Sequence, residues 1–213
     1  MTSKRRERER RPARRPANRE PRRRLLIVCE GKVTEPQYLR GFERWQRNNT
    51  VEIEIPNSQG VPLTLVQRAV ELKETADTQA KRGRDAFLVF DEVWCVFDID
   101  EHPKDKVNDA RQLARARGIE VAVSNPCFEL WILLHFRENP GARHRHDVQA
   151  LVAEDLPGYD KHLRFDDLAG GVGDAERRAK ALQTQADEEG EPHRNPTTGV
   201  YRLTESIARK SDG

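Results

Sequence analysis

Four short apolar segments separated by helix-length amphipathic ones predict an α/β fold built on a parallel sheet. Three observations carry this. Residues 25–29 are an unbroken apolar run stopped by Glu30 and Gly31, the mark of a strand covered on both faces. Strand-length apolar patterns recur at 51–55, 93–97 and 119–123. The stretches between them are helical in period, and strand–helix–strand units of this kind wind right-handed, which makes the joined strands parallel.

Element by element, the first strand gives way to a helix over 34–47. Pro36 is tolerated in its first turn, and Tyr38, Leu39, Phe42 and Trp45 recur at helical spacing. Residues 51–55 alternate with period two, and 56–60 supply the loop that follows. A second helix places Leu65, Val66, Ala69, Val70 and Leu72 on its apolar face and runs into the polar stretch 81–85. Residues 87–90 read either as its packed end or as a short extended piece. The third strand, 92–98, ends in Asp98-Ile99-Asp100. A charged helix over 104–117 stops at Gly118, a natural residue just past a helix end, and 119–123 is the fourth strand. Residues 128–136 are apolar nearly all round and predict a buried helix. The last third is polar and helical, over about 147–154, 174–189 and 198–209. The expected organisation is a basic arm over 1–24, an α/β core over 25–140 and a helical extension over 141–213 packed on that core.

Of the 213 residues, 36% are hydrophobic and 35% charged, with no run approaching eighteen apolar residues, so a transmembrane helix is excluded. No apolar segment follows the basic start, which points to the cytoplasm rather than to secretion. Cys29, Cys95 and Cys127 stand far apart without a C-x-x-C, so they are expected to be reduced, buried small hydrophobes rather than zinc ligands or disulfides. The charge is uneven. Residues 1–24 hold twelve Lys or Arg against three Glu, a balance of +9, which leaves 26 basic and 33 acidic residues, or −7, for the remainder. With little apolar surface to bury and with Pro12, Pro16 and Pro21 in it, the arm is expected to be disordered. It reads either as a solubilising tail or as an electrostatic arm for nucleic-acid phosphates.

In open α/β sheets ligands bind beyond the carboxyl ends of the strands, and this chain puts acids there. Glu30 follows the first strand, and Asp98 and Asp100 finish the third. A period of two points both aspartates to one side, about 7 Å apart. Oxygen donors of this kind suit Mg²⁺ or Mn²⁺, whereas zinc would want His or Cys. Wet strand ends also collect Asp and Glu as turn and cap residues, which is the bland reading of any one of the three.

The residues here carry a resemblance. Cys29-Glu30-Gly31-Lys32-Val33-Thr34-Glu35-Pro36-Gln37-Tyr38 is similar to the E-G-x-x-T-E-P-x-Y block of the RloB-like family, whose members resemble the Toprim domains of topoisomerases, primases and OLD-type nucleases. Val96-Phe97-Asp98-Ile99-Asp100 resembles the hydrophobic-D-x-D motif of Toprim domains. Two further blocks resemble the family, Ser124-Asn125-Pro126-Cys127-Phe128-Glu129-Leu130-Trp131 with His135-Phe136, and Asn195-Pro196-Thr197-Thr198. The resemblance spans about residues 25–207. The resemblance implies a Toprim-like three-layer sandwich around a four-stranded parallel sheet of order 2-1-3-4, with the first and third strands adjacent. It also implies catalytic roles for Glu30, Asp98 and Asp100, with Glu30 as general acid/base and the aspartates holding Mg²⁺ or Mn²⁺. The activity implied is metal-dependent cleavage of DNA or RNA in bacterial anti-phage defence, of the abortive-infection or restriction-associated kind, with a defence protein such as an ATPase as a partner.

Glu35, in the first turn of the helix, reads either as a further metal ligand or as an acid favoured by the helix dipole. Lys32, Asn125 and Glu129 are candidate substrate-binding residues. Asn125 reads equally as a helix cap, and Glu129, on an apolar helix, needs a partner. His144-Arg145-His146 reads as a solvated loop in preference to a phosphate contact, His135 as a satisfied core residue, and Gly170-Gly171-Val172-Gly173 as a flexible helix entry, since it lacks the Lys-Ser/Thr of a phosphate loop. The alternative to a nuclease is a non-cleaving nucleic-acid or nucleotide binding module. A topoisomerase or primase would need more chain.

If about half of the arm's twelve cations meet duplex phosphates, the arm alone contributes a log–log salt slope of roughly 5. Deleting residues 1–22 is expected to flatten the slope by that amount and to leave Mg²⁺ affinity unchanged, checked by salt titrations of duplex and single-strand binding. Equal slopes would make the arm a bystander.

Overall fold

The computed structural model describes residues 22–58, 60–99 and 102–210. Residues 1–21, most of the expected arm, and Asp100 lie outside them. Four strands, β1 (Arg23–Cys29), β2 (Val51–Glu54), β3 (Glu92–Asp98) and β4 (Glu120–Asn125), pair in parallel. A fifth, β5 (Thr197–Thr198), adds antiparallel to β4, so the sheet runs β2-β1-β3-β4-β5. Among the described residues five strands therefore stand where four were expected, and Thr198, assigned from sequence to the last helix, belongs to the sheet. A two-residue polar strand has no periodicity to show. It is fixed by its partner: Ser124 and Thr198 share a buried hydroxyl hydrogen bond of 2.9 Å.

The helices are α1 (Thr34–Gln46), α2 (Pro62–Gly83), α3 (Lys104–Ala116), α4 (Glu129–Leu133), α5 (Arg145–Asp155), α6 (Val172–Glu188) and α7 (Val200–Ala208). The alternation along β1 sorts them into two layers. Leu25, Ile27 and Cys29 face one cluster with α1, α4, α5, α6 and α7, and Leu26 and Val28 face another with α2 and α3. Both faces are covered, which is why the central strands read as continuous apolar runs. β2 lies at the edge and alternates buried Val51 and Ile53 with exposed Glu52 and Glu54. The extension from 141 onward gives the sheet β5 and gives the first cluster α5, α6 and α7, so core and extension share one hydrophobic interior. Residues 86–88 form a 3-10 turn with Phe87 exposed, which settles the undecided stretch after α2. Of the expected helix over 128–136 only Glu129–Leu133 is α-helical.

β1 begins two residues before its apolar run because its first arginines are matched. Arg23 pairs with Glu92 at the start of β3, and Arg24 pairs with Glu54 at 3.1 Å and lies 4.5 Å over the ring of Phe90. Glu92 also accepts from the Trp94 indole at 2.9 Å and the Ser206 hydroxyl at 2.5 Å, tying β1, β3 and α7 together at the amino ends of the strands. Burial pushes the Glu92 carboxyl up, but Ser206, Trp94 and Arg23 outweigh it and hold the group below its ordinary value.

Two close approaches fix the other layer. Gly171, in a 3-10 turn before α6, sits where a Cβ would lie 2.4 Å from the His135 carbonyl oxygen, so this glycine admits a packing contact rather than a flexible entry. His135 is buried, with Nδ1 2.9 Å from the Trp131 carbonyl oxygen and Nε2 3.1 Å from the Tyr38 hydroxyl. Since a carbonyl can only accept, Nδ1 carries the proton and Nε2 accepts from Tyr38. His135 is thus the satisfied core residue expected. Cys29, Cys95 and Cys127 are free and buried, and burial pushes all three thiols up, Cys95 to about 12, which keeps them unreactive.

Burial lowers the His135 pKa to about 4, against about 6.5 for an unperturbed histidine. A depressed histidine withholds a proton that the unfolded chain takes, so its contribution is intact above pH 6.5 and is lost as pH falls towards 4, by about 3 kcal/mol at most. His135→Gln is expected to be less stable at pH 7 yet to show a flatter decline between pH 6.5 and 4, measured by urea unfolding across that range.

Candidate active site

The carboxyl ends of β1 and β3 meet because the two strands are parallel neighbours in register, Cys29 beside Val96. Glu30 donates its N–H to the Val96 carbonyl at 2.9 Å. In a continuing parallel ladder the next bond would run from the Asp98 N–H to the Glu30 carbonyl. Instead the Asp98 N–H donates to Oε2 of the Glu30 side chain at 3.0 Å. The carboxylate replaces its own main chain as the acceptor while the chain turns away toward α1, and Glu30 and Asp98 are locked side by side. The other oxygen, Oε1, accepts from His102 Nε2 at 2.8 Å. A carboxylate offers no proton here, so Nε2 is the protonated nitrogen.

Glu35 enters from the first turn of α1. It is buried, and its Oε1 accepts the Gly31 N–H at 3.0 Å. A Cβ on Gly31 would stand 2.1 Å from the Glu35 carboxylate, so this glycine is required by the close approach. Glu129 opens α4 and is buried; its Oε1 accepts from Gln149 of α5 and from the Tyr159 hydroxyl, both at 3.2 Å. These are the partners an acid on an apolar helix needs. All four carboxylates line one pocket of about 320 Å³ with Lys32, Arg145 and Lys161.

Arg145 is where the structure departs most from the sequence reading. His144 and His146 are exposed, but α5 starts at Arg145, whose Nη2 donates to Asp98 Oδ2 at 3.0 Å with both side chains largely buried. Arg177 and Arg178, another basic pair, are engaged by Glu138 and Asp174. Lys161 arrives from the loop after α5. Its backbone is left-handed, with φ of 76°, and its carbonyl accepts from the Thr34 hydroxyl at 2.8 Å. His102 and Lys161 were missed from sequence. His102 stands four residues past Asp98 and offered a signal in that spacing, while Lys161 offered none. Asn125 is not in the pocket: its Nδ2 donates to the His193 carbonyl at 2.8 Å, in a groove on the α3 side of the sheet. Asp100, expected as the second aspartate, lies outside the described residues.

Four acids face three cations around the pocket. Burial first, then Glu35, Glu30 and Glu129, pushes the Asp98 carboxyl well above the usual carboxylate range, with Arg145 opposing. Burial also raises Glu35, followed by Glu129 and Glu30, against the N–H groups that hold it down. Such a pocket favours an added cation. Among the described residues, no three His, Cys, Asp or Glu side chains are spaced to hold a metal ion as they stand. The donor set is nonetheless all carboxylate oxygen, which is the chemistry of a hard divalent cation.

The family model for the RloB-like protein matches residues 25–207. The chain belongs to the RloB-like family. Every pocket residue named above lies inside the matched span of this RloB-like chain. No curated protein and no solved structure matches it. Among the described residues no helix is long and apolar enough to cross a membrane.

A carboxyl whose folded pKa is raised contributes stability that is present in full below its unfolded value of about 3.9 and is lost as pH rises through the folded value. Asp98→Asn is therefore expected to stabilise the protein in EDTA, by an amount that grows from pH 4 to 8. Each kcal/mol recovered raises Tm by about 2–4 °C in a chain of this size. Calorimetry across that pH range reads it, and a Tm unchanged or lowered at pH 8 would show that Arg145 fully offsets the crowding.

Proposed function

We propose that this RloB-like protein is a metal-dependent nuclease of Toprim type, acting on nucleic-acid phosphodiesters. The observation that carries the reading is the convergence of Glu30, Glu35, Asp98 and Glu129 in one small pocket, four acids against three cations, with the Asp98 carboxyl pushed up by burial and by its acidic neighbours. Glu30 and Asp98, with Asp100 beside them in sequence, would hold Mg²⁺ or Mn²⁺, and Glu35 lines the same pocket. The ion, when bound, supplies neutralisation of charge developing on the phosphoryl oxygens. The chain's own groups supply the rest. Glu30 moves a proton, steered by His102 on Oε1. Arg145 and Lys32 offer positive charge to a phosphate entering the pocket, and Tyr159 and Gln149 keep the Glu129 carboxylate fixed at its wall. A role in bacterial anti-phage defence, abortive or restriction-associated, with an ATPase or similar partner, is proposed from family membership alone.

A second reading, a binding module that does not cut, draws support from the same pocket. Each of its carboxylates already has a protein partner, and the described residues offer no ready three-ligand cluster.

Digestion of a mixed DNA and RNA panel with Mg²⁺, Mn²⁺ or EDTA separates the two. The expected outcome is cleavage with either cation and none in EDTA. Asp98→Asn and Asp100→Asn abolish cleavage and weaken Mg²⁺ binding seen by calorimetry. Glu30→Gln lowers the rate by roughly 100-fold or more with a smaller loss of nucleic-acid binding. Metal-dependent activity that persists in all three variants would overturn the assignment, and metal-independent binding without cleavage would establish the second reading.

A further inference from the structure

A second pocket, of about 940 Å³, lies along the outer face of α1 and is lined by four arginines against one acid. Gln37, Arg40, Gly41, Arg44 and Trp45 recur at i, i+3, i+4, i+7 and i+8, one stripe of the helix, while Tyr38, Leu39 and Phe42 turn to the core. Arg47 follows at the end of the helix, and Arg164 and Asp166 face it from the 163–166 segment. Arg40 is tied to the Ile55 carbonyl at 3.1 Å. The side chains of Arg44, Arg47 and Arg164 make no hydrogen bond or ion pair among the described residues, so their charge is available to a ligand.

Trp45 is the aromatic member. It is 43% exposed, whereas Trp94 and Trp131 are 4% and 0% exposed. It is not a loose side chain: its ring packs tilted on Phe42 at 5.9 Å and on Phe165 at 5.8 Å. Phe165 reaches this position because Gly41 leaves room, a Cβ there falling 2.3 Å from Phe165 Cβ. A rigid indole with a free face, ringed by uncommitted guanidinium groups, is the combination that holds unpaired bases. The π-face of a base stacks on the ring, and the neighbouring phosphates meet the arginines. A duplex keeps its base faces stacked inside and can use only the charge.

We propose that this pocket binds a single nucleic-acid strand, with a base stacked on Trp45 and its phosphates held by Arg44, Arg47 and Arg164. The inference deepens the nucleic-acid reading of the acidic pocket and rests on it. Glu35, in that pocket, is two residues before Gln37 on the same helix, and Arg47 lies twelve residues, or about 18 Å, beyond Glu35. Since Glu35 lies on the stripe of Tyr38, Leu39 and Phe42, a strand occupying both pockets would pass around α1 over that length, favouring a substrate with an unpaired segment near the cut.

The test uses the full chain in EDTA, so that binding is read without cleavage, with dT₁₂ and U₁₂ as probes and a blunt duplex as comparison. The expected result is quenching of tryptophan fluorescence by the single strands and not by the duplex, with the quench lost in Trp45→Phe. Trp45→Ala is expected to bind the single strands roughly tenfold or more weakly. The triple change of Arg44, Arg47 and Arg164 to Ala is expected to lower the log–log salt slope by about 2. Arg68→Ala, on α2 and paired with Glu71 at 3.1 Å, serves as the charge control and should bind as wild type does. Unaltered binding in both the Trp45 and the triple-arginine variants would overturn the proposal. So would self-association that depends on Trp45 without any quench by dT₁₂ or U₁₂, which would make the patch a surface for a second copy. Failure here is separable from failure of the nuclease reading. Metal-dependent cleavage without a Trp45 quench removes only this pocket, and a quench without cleavage in any metal removes only the nuclease.

Discussion

One hydrogen bond organises the functional end of the molecule: the Asp98 N–H donating to the Glu30 carboxylate. It occupies the slot that the ladder between β1 and β3 would otherwise give to a carbonyl, and so joins the end of the sheet to the beginning of the site. Because Glu30 closes the ladder with its side chain, its main chain is released to turn at Gly31 into α1. The first turn of that helix then delivers Glu35 onto the Gly31 N–H. The same bond holds Asp98 where Arg145 meets it from α5. Four elements, β1, α1, β3 and α5, are thereby referred to one pair of strand ends.

That arrangement stores unfavourable electrostatics. Carboxylates raised by burial and by one another cost stability in the folded protein, and the polar and apolar packing elsewhere has to carry it. At the far end of the strands Glu92 shows the opposite solution, a carboxylate met by Arg23, Trp94 and Ser206 and held low. The two ends of one sheet thus divide the work: matched charge where the fold is clamped, crowded like charge where a cation and a phosphate are proposed to bind.

Much of the frame was legible in the sequence because burial on both faces leaves an unmistakable trace. Residues 25–29 and 93–97 read as strands for that reason, and the acids beyond them were found from the rule that ligands sit past the carboxyl ends. The errors fall where local pattern carries no information. β5 is two threonines held by Ser124, Arg145 looked like a loop residue until α5 placed it against Asp98, and Gly171 looked like a hinge until His135 packed on it.

By itself the sequence determined the alternation of strands and helices, the covered central strands, the placement of Glu30 and Asp98 at strand ends and the burial of the three cysteines. All of these follow from hydrophobic period and from residues next to one another in the chain. Only the tertiary structure decided that Glu129 and Arg145 join Glu30 in one pocket and that Asn125 leaves it for His193. It also decided that Trp45, placed by its spacing on the apolar stripe of α1, keeps an open face beside Arg164. Those outcomes depend on contacts between segments tens to more than a hundred residues apart, and no local periodicity encodes which partner a buried charge or an exposed ring will find.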